Sequence, residues 1–113
     1  MKPIEDFLEQ INLANAKVAA ANRAVGDVEN HLQASQGADA KNLYINRLKK
    51  AESDLVAQKF ERQTLVHEIT AEVKTLRENG WTPDDKKLAK LHVEIDLIRT
   101  NPDKVDMEVP ATV

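Results

Sequence analysis

A chain of 113 residues is long enough for one domain and too short for two, and with 42% hydrophobic and 31% charged residues it is too apolar for a disordered protein. Its net charge of −3 gives no field that would draw it to nucleic acid or a membrane, and the lack of cysteine excludes disulfides, thiolate zinc sites and cysteine nucleophiles. Aromatic residues make up only 4%, so the apolar content is aliphatic and typical of long helices.

The first predicted helix covers residues 3–35. Its apolar residues recur at alternating steps of three and four, which is the a/d spacing of a coiled coil sustained for about four heptads. The positions are Ile4, Phe7, Ile11, Ala14, Val18, Ala21, Val25, Val28 and Leu32. Pro3 suits the first helical turn, and Gly37 can adopt the left-handed conformation that ends a helix. Gly26 costs about 1 kcal/mol relative to alanine inside this helix, so we expect either a close crossing of helices or a bend there.

The second predicted helix covers residues 39–79 and carries two apolar stripes. The main stripe, interrupted by Gln58 and Arg62, consists of Tyr44, Leu48, Ala51, Leu55, Val66, Ile69, Val73 and Leu76. The adjacent stripe consists of Ile45, Val56, Phe60 and Leu65. Two stripes indicate that this helix touches two neighbours. We expect Phe60 or Leu55 to fill the space opposite the small alanines in the seam of the first helix.

The stretch "ENGWTPDDKK" at residues 78–87 is interpreted as a corner and not as a reaction centre. Its Asn-Gly pair, ending at Gly80, is typical of a helix C-terminus. Thr82 suits the N-cap of the next helix and Pro83 its first position. We expect Trp81, just before that cap, to pack against the end of the bundle and fix the turn.

The third predicted helix covers residues 82–100. Its apolar residues keep the same alternating spacing at Leu88, Leu91, Ile95 and Ile98. Pro102 ends it, because the residue before a proline resists helical geometry. The tail, residues 101–113, alternates acidic and apolar residues, and we expect either a short docking strand or disorder.

These elements predict an all-α fold in one domain, residues 1–100: a long antiparallel helical hairpin with a shorter third helix packed on one half, as a three-helix bundle. At 1.5 Å per residue the helices are roughly 50, 60 and 28 Å long, so the third covers only about half of the hairpin. The half nearest the loop at Gly37 then holds apolar side chains that two helices cannot bury.

Another chain is expected to cover this end. A second copy would make a closed four-helix end, and a different protein is the other candidate. The competing interpretations are that the hairpin bends, that the tail folds over the end, or that the second helix is shorter than the pattern indicates.

Patterns of catalysis and metal binding are missing from the sequence. His31, His67 and His92 lack the spacing of a zinc motif or of a di-metal bundle. No serine lies in a nucleophile motif, and the glycines are too scattered for a phosphate loop. We therefore expect no enzyme, no cofactor, no metal and no small-molecule substrate. His31 is interpreted as a surface histidine or as a pH-sensitive member of an interface.

Basic residues cluster in the second helix, at Lys41, Arg47, Lys49, Lys50, Lys59 and Arg62. Residues 37–80 nevertheless carry 8 basic and 7 acidic side chains, which is too balanced for a DNA-binding stripe, and no aromatic residues interleave to stack bases. The sequence lacks a transmembrane run, a basic amphipathic face and the apolar core of a signal peptide. We expect no membrane contact and a cytoplasmic location.

The leading hypothesis is a non-enzymatic protein–protein interaction module, a small helical adaptor or inhibitor of the kind that a phage or other mobile element makes. Its partner would bind the hairpin end by apolar packing inside a charged rim. The packing residues are Val25, Val28, Leu32, Leu43, Tyr44 and Leu48, and the rim residues are Arg47, Lys49 and Lys50. The alternatives are a self-assembling scaffold or assembly chaperone, for which a dimer is favoured, and a nucleic-acid-binding accessory protein acting through the basic residues of the second helix.

Overall fold

The computed structural model describes residues 3–105 and shows an all-α fold. Three helices follow one another: α1 (Pro3–Ala34), α2 (Ala38–Glu78) and α3 (Asp85–Thr100). α1 and α2 form a long antiparallel hairpin, α3 folds back along one half of it, and the molecule measures 64 × 26 × 25 Å. The predicted hairpin with a shorter third helix is confirmed. Most of the tail, residues 106–113, lies outside the described residues, and so does the expectation of a strand or disorder there.

A glycine follows the end of α2, as the sequence predicts. Gly37, expected to end the first helix, instead lies three residues after the last residue of α1 and is the N-cap of α2. Gly37 has a φ of 90° and Gly80 a φ of 92°, in the left-handed region that other residues rarely adopt. After α2, the amide of Gly80 donates to the Arg77 carbonyl at 3.1 Å, and the amide of Trp81 donates to the Leu76 carbonyl at 2.9 Å. These bonds give donors to carbonyl groups that have no hydrogen-bond partner within the helix, and they turn the chain toward α3.

The start of α3 differs from the prediction: the helix begins at Asp85 and Thr82 is not its N-cap. Asp84 is the N-cap, because its Oδ1 accepts the backbone N–H groups of Lys86 and Lys87, each at 3.0 Å. Aspartate caps a helix at least as well as threonine, and it also brings a negative charge to the positive end of the helix dipole. The predicted cap at Thr82 is therefore wrong by two residues.

Trp81 packs against the end of the bundle, which confirms its predicted structural role. Its ring meets that of Phe7 edge to face, with centroids 6.4 Å apart and an interplanar angle of 87°. Phe7 is buried, and Trp81 is partly buried against the same core. The corner between α2 and α3 is thus tied to the first turns of α1.

The apolar core lies in the half of the hairpin that α3 covers. It consists of Ile4, Phe7, Ile11, Val66, Ile69, Val73, Leu88, Leu91, Ile95 and Ile98. Between residues 19 and 57, in contrast, Ala51 alone is buried. The loop-side half of the hairpin is therefore two helices without a shared closed core, as the helix lengths predict.

Two of the alternatives expected for packing within the hairpin are contradicted: Phe60 as the residue opposite the alanines, and a close crossing at Gly26. Of the two residues expected opposite the alanines of α1, Leu55 is partly buried, but Phe60 is 72% exposed. Arg62 occupies the buried position, at 1% exposure, and residues two apart on an α-helix point about 160° away from each other. No helix of this chain crosses close to Gly26, because no atom lies within 4 Å of the position that a Cβ would take there.

Candidate functional site

The hairpin end, defined as residues 19–57, holds the predicted partner-binding residues. Its α1 members are half-buried along the seam with α2: Val25, Val28 and Leu32. On α2, Tyr44 and Leu48 are half-buried, whereas Leu43 and Ile45 are 47% and 39% exposed. Leu43 and Leu48 are five positions apart, or about 140° around the helix. The partly exposed apolar residues are therefore distributed over two sides of α2.

Tyr44 is the centre of the ring contacts at the hairpin end. The His31 ring of α1 stacks on it, with centroids 5.5 Å apart and an angle of 24° between the planes. The guanidinium carbon of Arg47 lies 5.5 Å from the Tyr44 centroid, where the aromatic ring attracts a cation. His31 is itself held on α1, since its Nδ1 donates to the Asp27 carbonyl at 2.7 Å. The fold thus brings His31, Tyr44 and Arg47 together.

The other basic residues of the predicted rim lie apart from this group. Lys50 Nζ is 3.3 Å from Asp54 Oδ2 on the same helix, and because both side chains are exposed this ion pair adds little stability. Lys49 is exposed and lies about 140° around α2 from Tyr44. Arg47 and Lys50, three positions apart, therefore share one face of α2, and Lys49 points away from Arg47.

Arg62 is buried, although the sequence places it in an exposed basic run. Its Nη1 donates to Asn15 Oδ1 of α1 at 3.3 Å, and each of these two residues is 1% exposed. Its Nη2 donates to the backbone carbonyls of Pro102 at 3.2 Å and Lys104 at 2.8 Å. Burial lowers the pKa of Arg62 from its ordinary value, but an arginine keeps its proton at neutral pH. The basic residues of α2 therefore do not form a continuous exposed stripe.

Three side chains of α2 form a polar clamp on the end of α3: Lys59, Arg62 and Gln63. Gln63 Nε2 donates to the Ile98 carbonyl at 2.8 Å, which satisfies one of the carbonyls in the last turn of α3. Lys59 Nζ lies 3.8 Å from Asp103 Oδ1 in the segment after the helix. With the two carbonyl contacts of Arg62, the polar clamp fixes where α3 stops and where the hairpin end begins.

A second surface, which the sequence did not single out, is a groove between α1 and α2. We call it the Phe60 groove; its volume is about 450 Å³ and its lining residues all belong to these two helices. Leu13 on the α1 wall is 57% exposed, and Leu65 on the α2 wall is partly buried. Leu13 lies off the a/d seam of α1, so the periodicity gave no signal for it.

The second apolar stripe of α2 is not what contacts α3. Ile45, Val56 and Phe60 are 39%, 65% and 72% exposed. α2 does have two helical neighbours, but α3 meets it through its core residues and through the polar clamp. These three members of the stripe are therefore exposed among residues 3–105, whereas Leu65, the fourth member, packs partly buried against the core.

Other kinds of site find no support in the described part of the chain. No three His, Cys, Asp or Glu side chains of residues 3–105 group so that they could hold a metal ion. In the same range, no helix combines the length and the apolar character needed to cross a membrane. Comparisons with protein-family models, with curated proteins and with solved structures find no match for this chain. Its function is therefore inferred from its own surfaces.

Proposed function

We propose that this protein is a non-catalytic interaction module that binds another protein through its hairpin end. The uneven burial of the hairpin carries the proposal: α3 and the polar clamp close one half, whereas Ala51 alone is buried between residues 19 and 57. Apolar side chains that are left partly exposed over such a length are typical of protein-binding surfaces.

Binding would complete the burial that two helices leave unfinished. A partner that contacts both sides of α2 at the hairpin end would remove the remaining apolar surface of Leu43, Leu48 and Val25 from water, at roughly 25 cal/mol for each Å² buried. Tyr44 suits the centre of such a contact, because tyrosine combines a large apolar ring with a hydroxyl group. Arg47, Lys49 and Lys50 would attract an acidic partner and speed association.

A pair of leucines with similar exposure allows a matched test. Leu43, at the hairpin end, is 47% exposed, and Leu97, on α3, is 41% exposed. Wild type, Leu43→Ala and Leu97→Ala would be immobilised and incubated with lysate of the source organism. A protein retained by wild type would then be purified and its affinity for each variant measured by calorimetry. A double variant, Tyr44→Ala with Leu48→Ala, extends the test to the half-buried residues.

The proposal predicts that Leu43→Ala and the double variant weaken binding at least tenfold while helicity by circular dichroism is unchanged. Leu97→Ala is expected to bind like wild type. Equal affinity for all variants would show that the partner does not use the hairpin end.

Self-assembly through the same end is the second candidate, and one observation favours it. Residues 19–57 carry five basic and five acidic side chains, so the whole net charge of −3 belongs to the rest of the chain. Two copies would meet at this end without net repulsion. This function needs no other molecule, so association of the purified protein that Leu43→Ala abolishes would establish it.

A further inference from the structure

The most exposed large apolar side chain of the described residues is Phe60, at 72%. It lines the Phe60 groove together with Leu13, which is 57% exposed. The other phenylalanine, Phe7, is 4% exposed in the core. The centres of protein interfaces commonly contain an aromatic side chain and an apolar groove that receives it.

The Phe60 groove is complementary to itself in shape. It combines a protruding ring with a depression of about 450 Å³, which is large enough to receive a phenyl ring from another molecule. Ala14, between the Leu13 and Leu65 walls, leaves the groove open. A two-fold contact needs one surface that offers both the protruding and the receiving part, and this surface does.

The charges along the Phe60 groove are also complementary to themselves. The α1 wall carries Lys17, and the α2 wall carries Glu61 and Glu68. When two grooves face each other about an axis along the hairpins, placing α1 of one copy over α2 of the other sets Lys17 against the partner's Glu61, because the Asn15–Arg62 contact shows that residues 17 and 61 lie at about the same level of the hairpin. Placing α1 over α1 would set like charges against each other.

We propose that two copies of this chain associate through the Phe60 groove, with Phe60 of each copy inserted in the groove of the other and α1 of each copy lying over α2 of its partner. The four helices then form an antiparallel bundle around the two-fold axis, which runs along the hairpins. Both hairpin ends point the same way and stay free. This inference does not rest on the proposed function, because it uses a different surface.

The test is the molar mass of the full chain by light scattering across a hundredfold concentration series. The proposal predicts a dimer whose dissociation constant rises at least tenfold in Phe60→Ala and in Leu13→Ala. Both side chains are largely exposed, so these variants are expected to keep the helicity of wild type. Val93→Ala is the matched control, since Val93 and Leu13 are each 57% exposed, and it is expected to dimerise like wild type.

Charge reversal tests the orientation of the two copies. Lys17→Glu is expected to weaken the dimer, and adding Glu61→Lys in the same chain is expected to restore it. A monomer at every concentration would overturn the proposal. So would a dimer that Phe60→Ala leaves intact and Leu43→Ala dissolves, because that result would place self-association at the hairpin end.

Discussion

Arg62 of α2 donates a hydrogen bond to Asn15 of α1 at 3.3 Å, and both side chains are 1% exposed. This pair sits at the level where α3 ends, and the other terminal nitrogen of Arg62 reaches across to the chain after α3. One buried cation therefore connects α1, α2 and the segment that follows α3. It forms the boundary between the closed half of the molecule and the hairpin end.

Replacing Arg62 is expected to destabilise the fold. Arg62→Ala removes charge-assisted hydrogen bonds and leaves the buried Oδ1 of Asn15 without this donor, so we expect the free energy of unfolding to fall by about 3 kcal/mol in a urea titration. Arg62→Lys is expected to recover little, because an ammonium group lacks the planar fork that serves several acceptors. The control is Arg77→Ala, because Arg77 lies on the exposed part of α2. If Arg62→Ala lowers the free energy of unfolding no more than this control does, the account is contradicted.

The N-cap of α3 gives a paired prediction. Asp84→Ala removes the acceptor for the amides of Lys86 and Lys87 and is expected to cost about 1 kcal/mol of stability. Thr82 lies outside the helix, so Thr82→Ala is expected to change the free energy of unfolding by less than about 0.5 kcal/mol. Thermal unfolding followed by circular dichroism measures both. The reverse order of the two effects would mean that the helix starts at the earlier cap.

The glycines at positions 26 and 80 are expected to respond to alanine in opposite directions. Neither has an atom within 4 Å of the place of a Cβ, but only Gly80 has a positive φ, of 92°. Gly26→Ala is therefore expected to raise the free energy of unfolding by about 0.5–1 kcal/mol, since alanine favours a helix interior. Gly80→Ala is expected to lower the free energy of unfolding, because alanine is strained at that φ. A destabilised Gly26→Ala monomer would show that the glycine has a packing role.

Much of the fold follows from local patterns in the sequence. The alternating apolar residues of α1 and α3, such as Ile11 and Leu91, mark the faces that are buried. Gly80 marks the end of α2, Gly37 marks the loop between the long helices, and the helix lengths alone predict a hairpin that is covered on one half. Each of these signals depends on residues that are close together in the chain.

The errors concern contacts between residues that are far apart in the chain. Arg62 looks like an interruption of an apolar stripe, because the carbonyls that satisfy it lie 40 and 42 residues away. Phe60 looks like a core residue, and only the position of the neighbouring helices shows that it faces water. The pattern places the start of α3 at Thr82 and Pro83, although Asp84, two residues after Thr82, is an equally good capping residue and is the N-cap in the structure.

Hydrogen–deuterium exchange on the dilute monomer tests the central claim that the hairpin has one closed half and one open half. Amides of residues 7–18 and 62–78, which lie in the closed half and donate within the helices, are expected to exchange slowly. Amides of residues 19–34 and 38–57 are expected to exchange faster, because local opening there breaks few buried contacts. Uniform slow exchange along both helices would contradict the account, since it would mean that the hairpin end is stable without any further chain.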